Sequence, residues 1–334
     1  MLRRLCSLLI LSSLFFSVLP TAAAKLCNSN DNDALLEIQE ALGNPPDLVS
    51  AWQLDTDCCT GWAIECNSEG RVTYFFAFRG NHPFQIPPVI GNLTYLQGFN
   101  FIEIPSLTGT IPESITLLRS LERISISWTN LSGHIPSFLG QIPSLKYIYL
   151  NDNKLSGVIP PSLGHLPNLT ELNLSENKLT GGIPRSLGSS TGTSRPLSSI
   201  VLAFNQLSGP IPRSLGYLNI AYIDLSGNNL VGDASFLFGA NKTALWYLNL
   251  GWNSLSFNFS DVKIPSQLSD MVITNNKIYG RLPPSIAVPY FEEFNVSYNQ
   301  LCGPIPTGGS LQLFDSWAFS HNKCLCGIPL PPCQ

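Results

Sequence analysis

The stretch "LTELNLSENKLTGGIPRSLG", Leu169 to Gly188, has close copies on both sides: "LKYIYLNDNKLSGVIPPSLG" before it and "LSSIVLAFNQLSGPIPRSLG" after it. The shared frame is L-x-x-L-x-L-x-x-N-x-L-x-G-x-I-P. Its Asn recurs at Asn153, Asn177, Asn205, Asn228, Asn253, Asn276 and Asn299, 23 to 28 residues apart. A unit this short cannot bury its own leucines, so neighbouring units must stack into one continuous core. That requirement sets the architecture before chain length does.

The period and the phrase L-x-x-L-x-L-x-x-N are those of the leucine-rich repeat. An earlier unit begins at Leu121 with Thr129 in the Asn slot, another at Leu96 is read with a one-residue insertion, and a degenerate first unit lies near Val72. About ten units run from 71 to 306. Leucines such as Leu172 and Leu174 alternate inward from a short strand. The Asn offers donor and acceptor to the turns of adjacent coils, Gly permits a turn that a β-carbon hinders, and Ile-Pro adds a core residue with a fixed φ. The expected fold is an α/β leucine-rich-repeat solenoid: a curved right-handed superhelix with a concave parallel sheet, an irregular or 3-10 convex side and disulfide-stapled caps. Units starting at Ile220 and Leu245 depart from the frame ("GDASFLFG", "SFNFSDVKIP"), so the convex side is expected to be irregular there.

Arg3 and Arg4 precede an apolar run from Leu5 to Leu19 and the small residues Ala22, Ala23 and Ala24, the pattern of a secretory leader over 1–24. Its removal takes the formal charge from −4 to about −6, a poor match to nucleic acid. The leader's apolar run is too short for a membrane span, and none is expected elsewhere. Eight cysteines remain, Cys27, Cys58, Cys59 and Cys66 near one end and Cys302, Cys324, Cys326 and Cys333 near the other. A secreted chain uses such groups as disulfides, and zinc would want paired C-x-x-C spacings or clustered histidines; spacing alone leaves three connectivities per group. The expected organisation is a helical cysteine cap over 25–70, repeats over 71–306 and a second cysteine cap over 307–334. In the first cap "NDNDALLEIQEALGNPP" reads as a helix with Asn32 or Asp33 as N-cap, Leu35, Ile38 and Leu42 on one face, and Gly43 then Pro45 as stop signals.

No G-x-S-x-G, H-E-x-x-H, Walker or dinucleotide motif is present, so neither catalysis nor a cofactor or metal is expected. Adjacent Glu292 and Glu293 and the carboxylates spread over the strands are not read as a catalytic pair, because neighbouring strands about 4.8 Å apart bring acids to such distances by architecture alone. His82, His134, His165 and His321 are read as exposed turn or convex residues. What varies between units is the set of x positions beside the leucines, which face solvent on the concave side. The candidate partner-binding residues are Arg123, Ser125, Trp128, Tyr147, Tyr149, Asp152, Glu171, Asn173, Glu176, Val201, Phe204, Tyr222, Asp224, Tyr247, Trp252 and Asp270. Ser127, Asn151, Ala203, Ser226, Thr274 and Ser297 are read as solvent-facing beside them. Aromatic anchors among acids are what a protein interface concentrates, and the sign favours a basic partner. Sequons stand at Asn92, Asn130, Asn168, Asn173, Asn241, Asn258 and Asn295. Asn173 and Asn295 lie on the binding face and are expected to be unmodified or outside the contact zone.

The phrases "LCNSNDNDALLEIQEALGNPP", "TDCC", "SWTNLSGHIPSFLGQI", "GDASFLFGANKT", "NKIYG" and the ending "FNVSYNQLCGPIPTGGSLQLFDSWAFSHNKCLCGIPLPPC" resemble the plant polygalacturonase-inhibiting proteins over essentially the whole mature chain. The resemblance implies ten repeats of the plant type in a secreted, monomeric cell-wall protein of plant defence. Such a protein binds fungal endopolygalacturonases through its concave face and slows pectin degradation. It also implies the pairs Cys27–Cys58, Cys59–Cys66, Cys302–Cys324 and Cys326–Cys333. The same frame serves relatives in floral development or signalling through endogenous proteins, which is the runner-up reading. Behind it stand pectin binding, for which Arg71, Arg79, Arg185, Arg213 and Arg281 are the hints, and antifreeze activity.

Overall fold

The computed structural model describes residues 27–43, 57–78, 83–188 and 197–334. The leader, Pro45, Arg79 and His82 lie outside the described residues. Ten short parallel strands, from Val72–Phe78 to Glu293–Asn295, pair one after another in chain order, and Ile64–Cys66 adds an antiparallel edge strand before them. Strand order equals chain order because every unit returns to the same side of the coil. Registers are in phase along the ladder, Glu171 opposite Tyr147 and Ser199, and Leu172 opposite Ile148 and Ile200. Inward side chains such as Leu172, Leu174, Ile200 and Leu202 are fully buried and form one core with those of every other unit.

The unit at Leu96 needs no insertion. Phe99 and Phe101 pair in register with Ile124 and Ile126, and the Asn slot holds Ile104, which is buried. The Asn ladder therefore starts one unit later, where the Thr129 hydroxyl donates to Asn153 Oδ1. Asn177 shows the general form. Its Nδ2 donates to the carbonyls of Leu150, Leu174 and Ser175 at 2.8, 3.2 and 3.0 Å, and its Oδ1 accepts from Leu155 N–H at 2.9 Å. One amide thus closes its own turn and ties it to the coil before.

A feature absent from the sequence reading is a second parallel sheet of six strands, Ser132–His134 to Ser254–Leu255, formed by the segment after each Asn. The frame's Gly ends that segment with positive φ, as at Gly157 (+76°) and Gly181 (+74°). Beyond Ile-Pro the convex side carries short 3-10 helices such as Ser137–Gln141, Pro161–His165 and Arg213–Tyr217. In the unit at Ile220 this helix shrinks to Ser235–Leu237, and between Leu255 and Asp270 there is none.

At the N-terminal end the helix Ser29–Ala41 buries Leu35 and Ile38 against the first coils, with Leu42 as its C-cap. Its N-cap is Asn28, not Asn32 or Asp33. The helix starts earlier because Asp31 belongs inside its first turn. That carboxylate is fully buried and accepts from the Arg71 guanidinium at 2.8 and 2.9 Å and from Val72 N–H at 2.8 Å, joining the helix to the first strand. Disulfides join Cys27–Cys58, Cys59–Cys66, Cys302–Cys324 and Cys326–Cys333. The C-terminal segment adds one more rung to the ladder. Asn322 donates to Val296 and Phe319 carbonyls and accepts from Leu301 N–H.

Candidate functional site

The concave sheet presents two outward columns. The first runs Arg123, Tyr147, Glu171, Ser199, Tyr222, Tyr247, Asp270, Glu293, and the second Ser125, Tyr149, Asn173, Val201, Asp224, Asn249, Val272, Asn295. Neighbours within a column stand about 4.8 Å apart. Beside them lies a third column with left-handed backbone: Glu103, Trp128, Asp152, Glu176, Phe204, Gly227, Trp252, Asn275, Tyr298 and His321, all with φ between +52° and +63°. Bulky residues rarely adopt this conformation. Here the neighbouring coil fixes it, since Trp128 N–H donates to Asn151 O and Phe204 N–H to Ser226 O. The result is a ridge of side chains along one border of the sheet, with Trp128, Phe204, Trp252 and Tyr298 each about half exposed (53, 54, 63 and 49%).

The sequence placed Arg123, Tyr147, Tyr149, Glu171, Asn173, Val201, Tyr222, Asp224, Tyr247 and Asp270 on this face, and the structure brings them together in the first two columns. Trp128, Asp152, Glu176, Phe204 and Trp252 fall on the ridge. Ser125 does not qualify as exposed: it is 7% accessible, between Asn100 and Tyr149 in register. Ser127, Asn151, Ala203, Ser226, Thr274 and Ser297 are also buried, and so is Val272 of the second column, at 8% accessible. Ser127 is the last residue of its strand, and the polar side chains here bond sideways, Ser127 to Asn151 Oδ1 at 2.9 Å and Thr274 with Ser297 at 2.8 Å. His321 was expected at a turn or on the convex side. It is exposed at a bend, where it ends the ridge, stacked on Tyr298 with ring centroids 4.0 Å apart. The signal was "SHNKCL", where Asn322 fills the Asn slot and Cys324 replaces the leucine.

The two halves of the face differ in charge balance. In the N-terminal half the Arg123 guanidinium lies over Tyr147 at 4.3 Å and near Tyr149 at 5.2 Å. The Tyr149 hydroxyl donates to Glu171 at 2.6 Å, and burial followed by this carboxylate pushes its pKa up to about 12. In the C-terminal half Tyr222 and Tyr247 stack face to face at 4.1 Å, and the exposed Trp246, missed in the sequence, packs edge-on against both. Asp224 beside them accepts from Ser226 N–H and hydroxyl at 3.0 and 2.6 Å, yet its burial raises its pKa. Burial, then Asp270 and Asp224, raises that of Glu293. Glu176 on the ridge is raised by burial and then by Asp152.

Among the described residues, Cys27, Asp57, Cys58 and Cys59 group closely enough to suggest a metal site. The cysteines are in disulfides, and Asp57 Oδ1 accepts from Cys27 and Cys59 N–H, so the group is a cap staple. Of the arginines proposed for pectin, Arg71 is paired with Asp31 and Arg213 with Asp233 at 3.1 Å. Among the described residues no helix is long and apolar enough to cross a membrane.

A capped coil with an invariant core and a variable concave face defines a leucine-rich-repeat protein, and the sequence profile described as "Leucine rich repeat" matches residues 119–179. Polygalacturonase inhibitor 1 of Arabidopsis thaliana is 55% identical over 96% of both chains. The leucine-rich repeat protein FLOR 1 of the same plant is 51% identical over 96% of this chain and 98% of its own. A crystal structure of a plant ice-binding protein superposes with a TM-score of 0.87 at 43% identity, covering 93% of this chain and 99% of that one. The chain belongs to the polygalacturonase-inhibitor family.

Proposed function

We propose that this protein is secreted to the plant cell wall as a defence protein that binds a fungal endopolygalacturonase through its concave face and blocks substrate entry, acting as an inhibitor and not as an enzyme. The observation that carries this reading is the aromatic and acidic surface of ridge and columns, held on a rigid sheet, in a chain 55% identical to a named polygalacturonase inhibitor. An enzyme whose substrate is a polyanion carries cationic groups near its cleft, and an acidic face complements them. Trp128, Phe204, Tyr222, Tyr247 and Trp252 serve as anchors, while Asp152, Glu171, Glu176 and Asp224 steer. Four disulfides support passage through an oxidising compartment.

The test is release of reducing ends from polygalacturonate by a panel of fungal endopolygalacturonases, with and without the purified protein, at two salt concentrations. We expect inhibition of at least one enzyme, weakened by salt. A folded protein that inhibits none of them would turn the search toward endogenous protein partners. An ice-binding role finds no support on this face, where Thr274 is buried and no regular array of threonines stands in the two outward columns.

A further inference from the structure

The two units that depart from the frame leave a cavity on the flank of the coil. It measures about 590 Å³ and is lined by Asp233, Ser235, Phe257, Asn258, Asp261, Lys263 and Tyr279 among others. Ser256, Phe257, Asn258, Asp261, Val262 and Lys263 of its lining come from the stretch between Leu255 and Asp270, which has no 3-10 helix. One of its lining residues, Asn258, is the acceptor of the sequon Asn258-Phe259-Ser260.

The sequons are not equivalent in the folded protein. Asn130 and Asn168 turn their Nδ2 back onto the coil before, donating to Pro105 O at 2.6 Å and Pro143 O at 2.9 Å. Asn173 and Asn295 point their Oδ1 at the N–H and hydroxyl of Ser175 and Ser297, at 2.7 Å to each hydroxyl. Asp224 and Ser226 make the same motif without being a sequon, so at these concave positions the N-x-S spelling is accounted for by strand-end geometry. Asn258 is exposed. Its Oδ1 accepts from Ser260 N–H at 3.0 Å, and its Nδ2, the atom that carries a glycan, has no protein partner among the described residues. Gly280 opposite, at φ +94°, makes the room: a β-carbon there would stand 2.2 Å from Asn258 Oδ1 and 2.6 Å from Ser260 Oγ. Tyr279 pairs with Asn258 across the flank and keeps 47% of its surface exposed.

We propose that Asn258 carries an N-linked glycan whose first N-acetylglucosamine seats in this cavity against the Tyr279 ring. The inference rests on secretion, which the disulfides support, and is independent of which enzyme is inhibited. A sugar ring presents an apolar face of C–H groups to an aromatic ring and a rim of hydroxyls, and a cavity with one exposed aromatic and several polar groups matches both. The glycan thereby covers a stretch of the flank that has no 3-10 helix of its own. Exposed Asn92 and Asn241 are not among the residues that line this cavity.

The experiment is peptide mass spectrometry of the protein purified from plant extracellular fluid, followed by melting of wild type, Tyr279→Ala, Asn258→Gln and the double variant, all from the same plant host. We expect a hexosamine-containing mass at the Asn258 peptide. We expect Tyr279→Ala to lower Tm by about 1–3 °C in the glycosylated chain and by markedly less in the Asn258→Gln background. An unmodified Asn258 peptide, or a Tyr279→Ala effect equal in both backgrounds, overturns the proposal. A protein found inside the cell would overturn the secretion reading instead, so the two failures are told apart.

Discussion

The ladder amide is where one side chain does most for the coil. Asn205 is 8% accessible; its Nδ2 donates to three carbonyls and its Oδ1 accepts from Leu179 N–H. Asn205→Ala strips partners from buried backbone groups on two coils, and we expect a loss of about 2–4 kcal/mol, read as a lowered Tm. Lys242 is a residue whose role the sequence hid. It is 5% accessible, and its ammonium caps the carbonyls of Gly216 and Leu218 at the end of a 3-10 helix, although burial lowers its pKa. Nothing in "NKT" distinguishes a lysine folded under a helix end from one in solvent. Acid behaviour is also decided residue by residue. Asp224 and Glu293 have folded pKa values raised by burial, so they take up protons above the ordinary carboxylate range of about 4. For stability the sign is that their ionised forms are disfavoured, a penalty that sets in as pH rises through the unfolded and then the folded pKa. For binding a cationic partner the sign is opposite. Attraction is full at neutral pH and fades on acidification through the raised folded values, earlier than an exposed acid would allow. Affinity measured between pH 7 and pH 4 is expected to fall, and Asp224→Asn to flatten the fall.

At the scale of the element, the strand and its inward leucines were legible because their spacing is dictated by a two-residue pleat, and a slip of one residue would expose the core. The ridge was legible only in part. Its residues were placed on the face as strand neighbours, but the left-handed backbone that lifts them clear of the sheet is imposed by hydrogen bonds from the next coil, which no local propensity reports. That is also why Ser125, Ser127 and Ser297 were misplaced: burial there depends on neighbours about 24 residues away. Strain on the ridge makes a distinct expectation. Trp252→Gly removes one of the anchors proposed for the partner while relieving a left-handed backbone that costs a non-glycine residue about 1–2 kcal/mol. Affinity should therefore drop by roughly tenfold or more while Tm holds or changes little. A parallel loss of Tm and affinity would make Trp252 a packing residue.

For the whole molecule, the caps decide whether the coil persists. The regular units bury their leucines only against neighbours, and at each end that duty falls to a cap held by two disulfides. Cys302–Cys324 closes 22 residues and joins the strand Gln300–Pro304 to the strand Cys324–Cys326, with which it pairs. Replacing both cysteines by serine is expected to cost about 3 kcal/mol, with hydrogen exchange rising first in the last units. The caps were readable from cysteine grouping and a short helical pattern. The Asp31–Arg71 tie was not, because a buried carboxylate in a run of Asn and Asp looks like a capping sequence.

Hydrogen exchange of the protein alone and with an inhibited fungal endopolygalacturonase bears most directly on how the face is used. Protection confined to the concave strands from Arg123 to Asn295 and to the ridge from Trp128 to Tyr298 is the expected result. Protection confined to the convex 3-10 helices, with the strands exchanging as in the free protein, would contradict inhibition through the concave face.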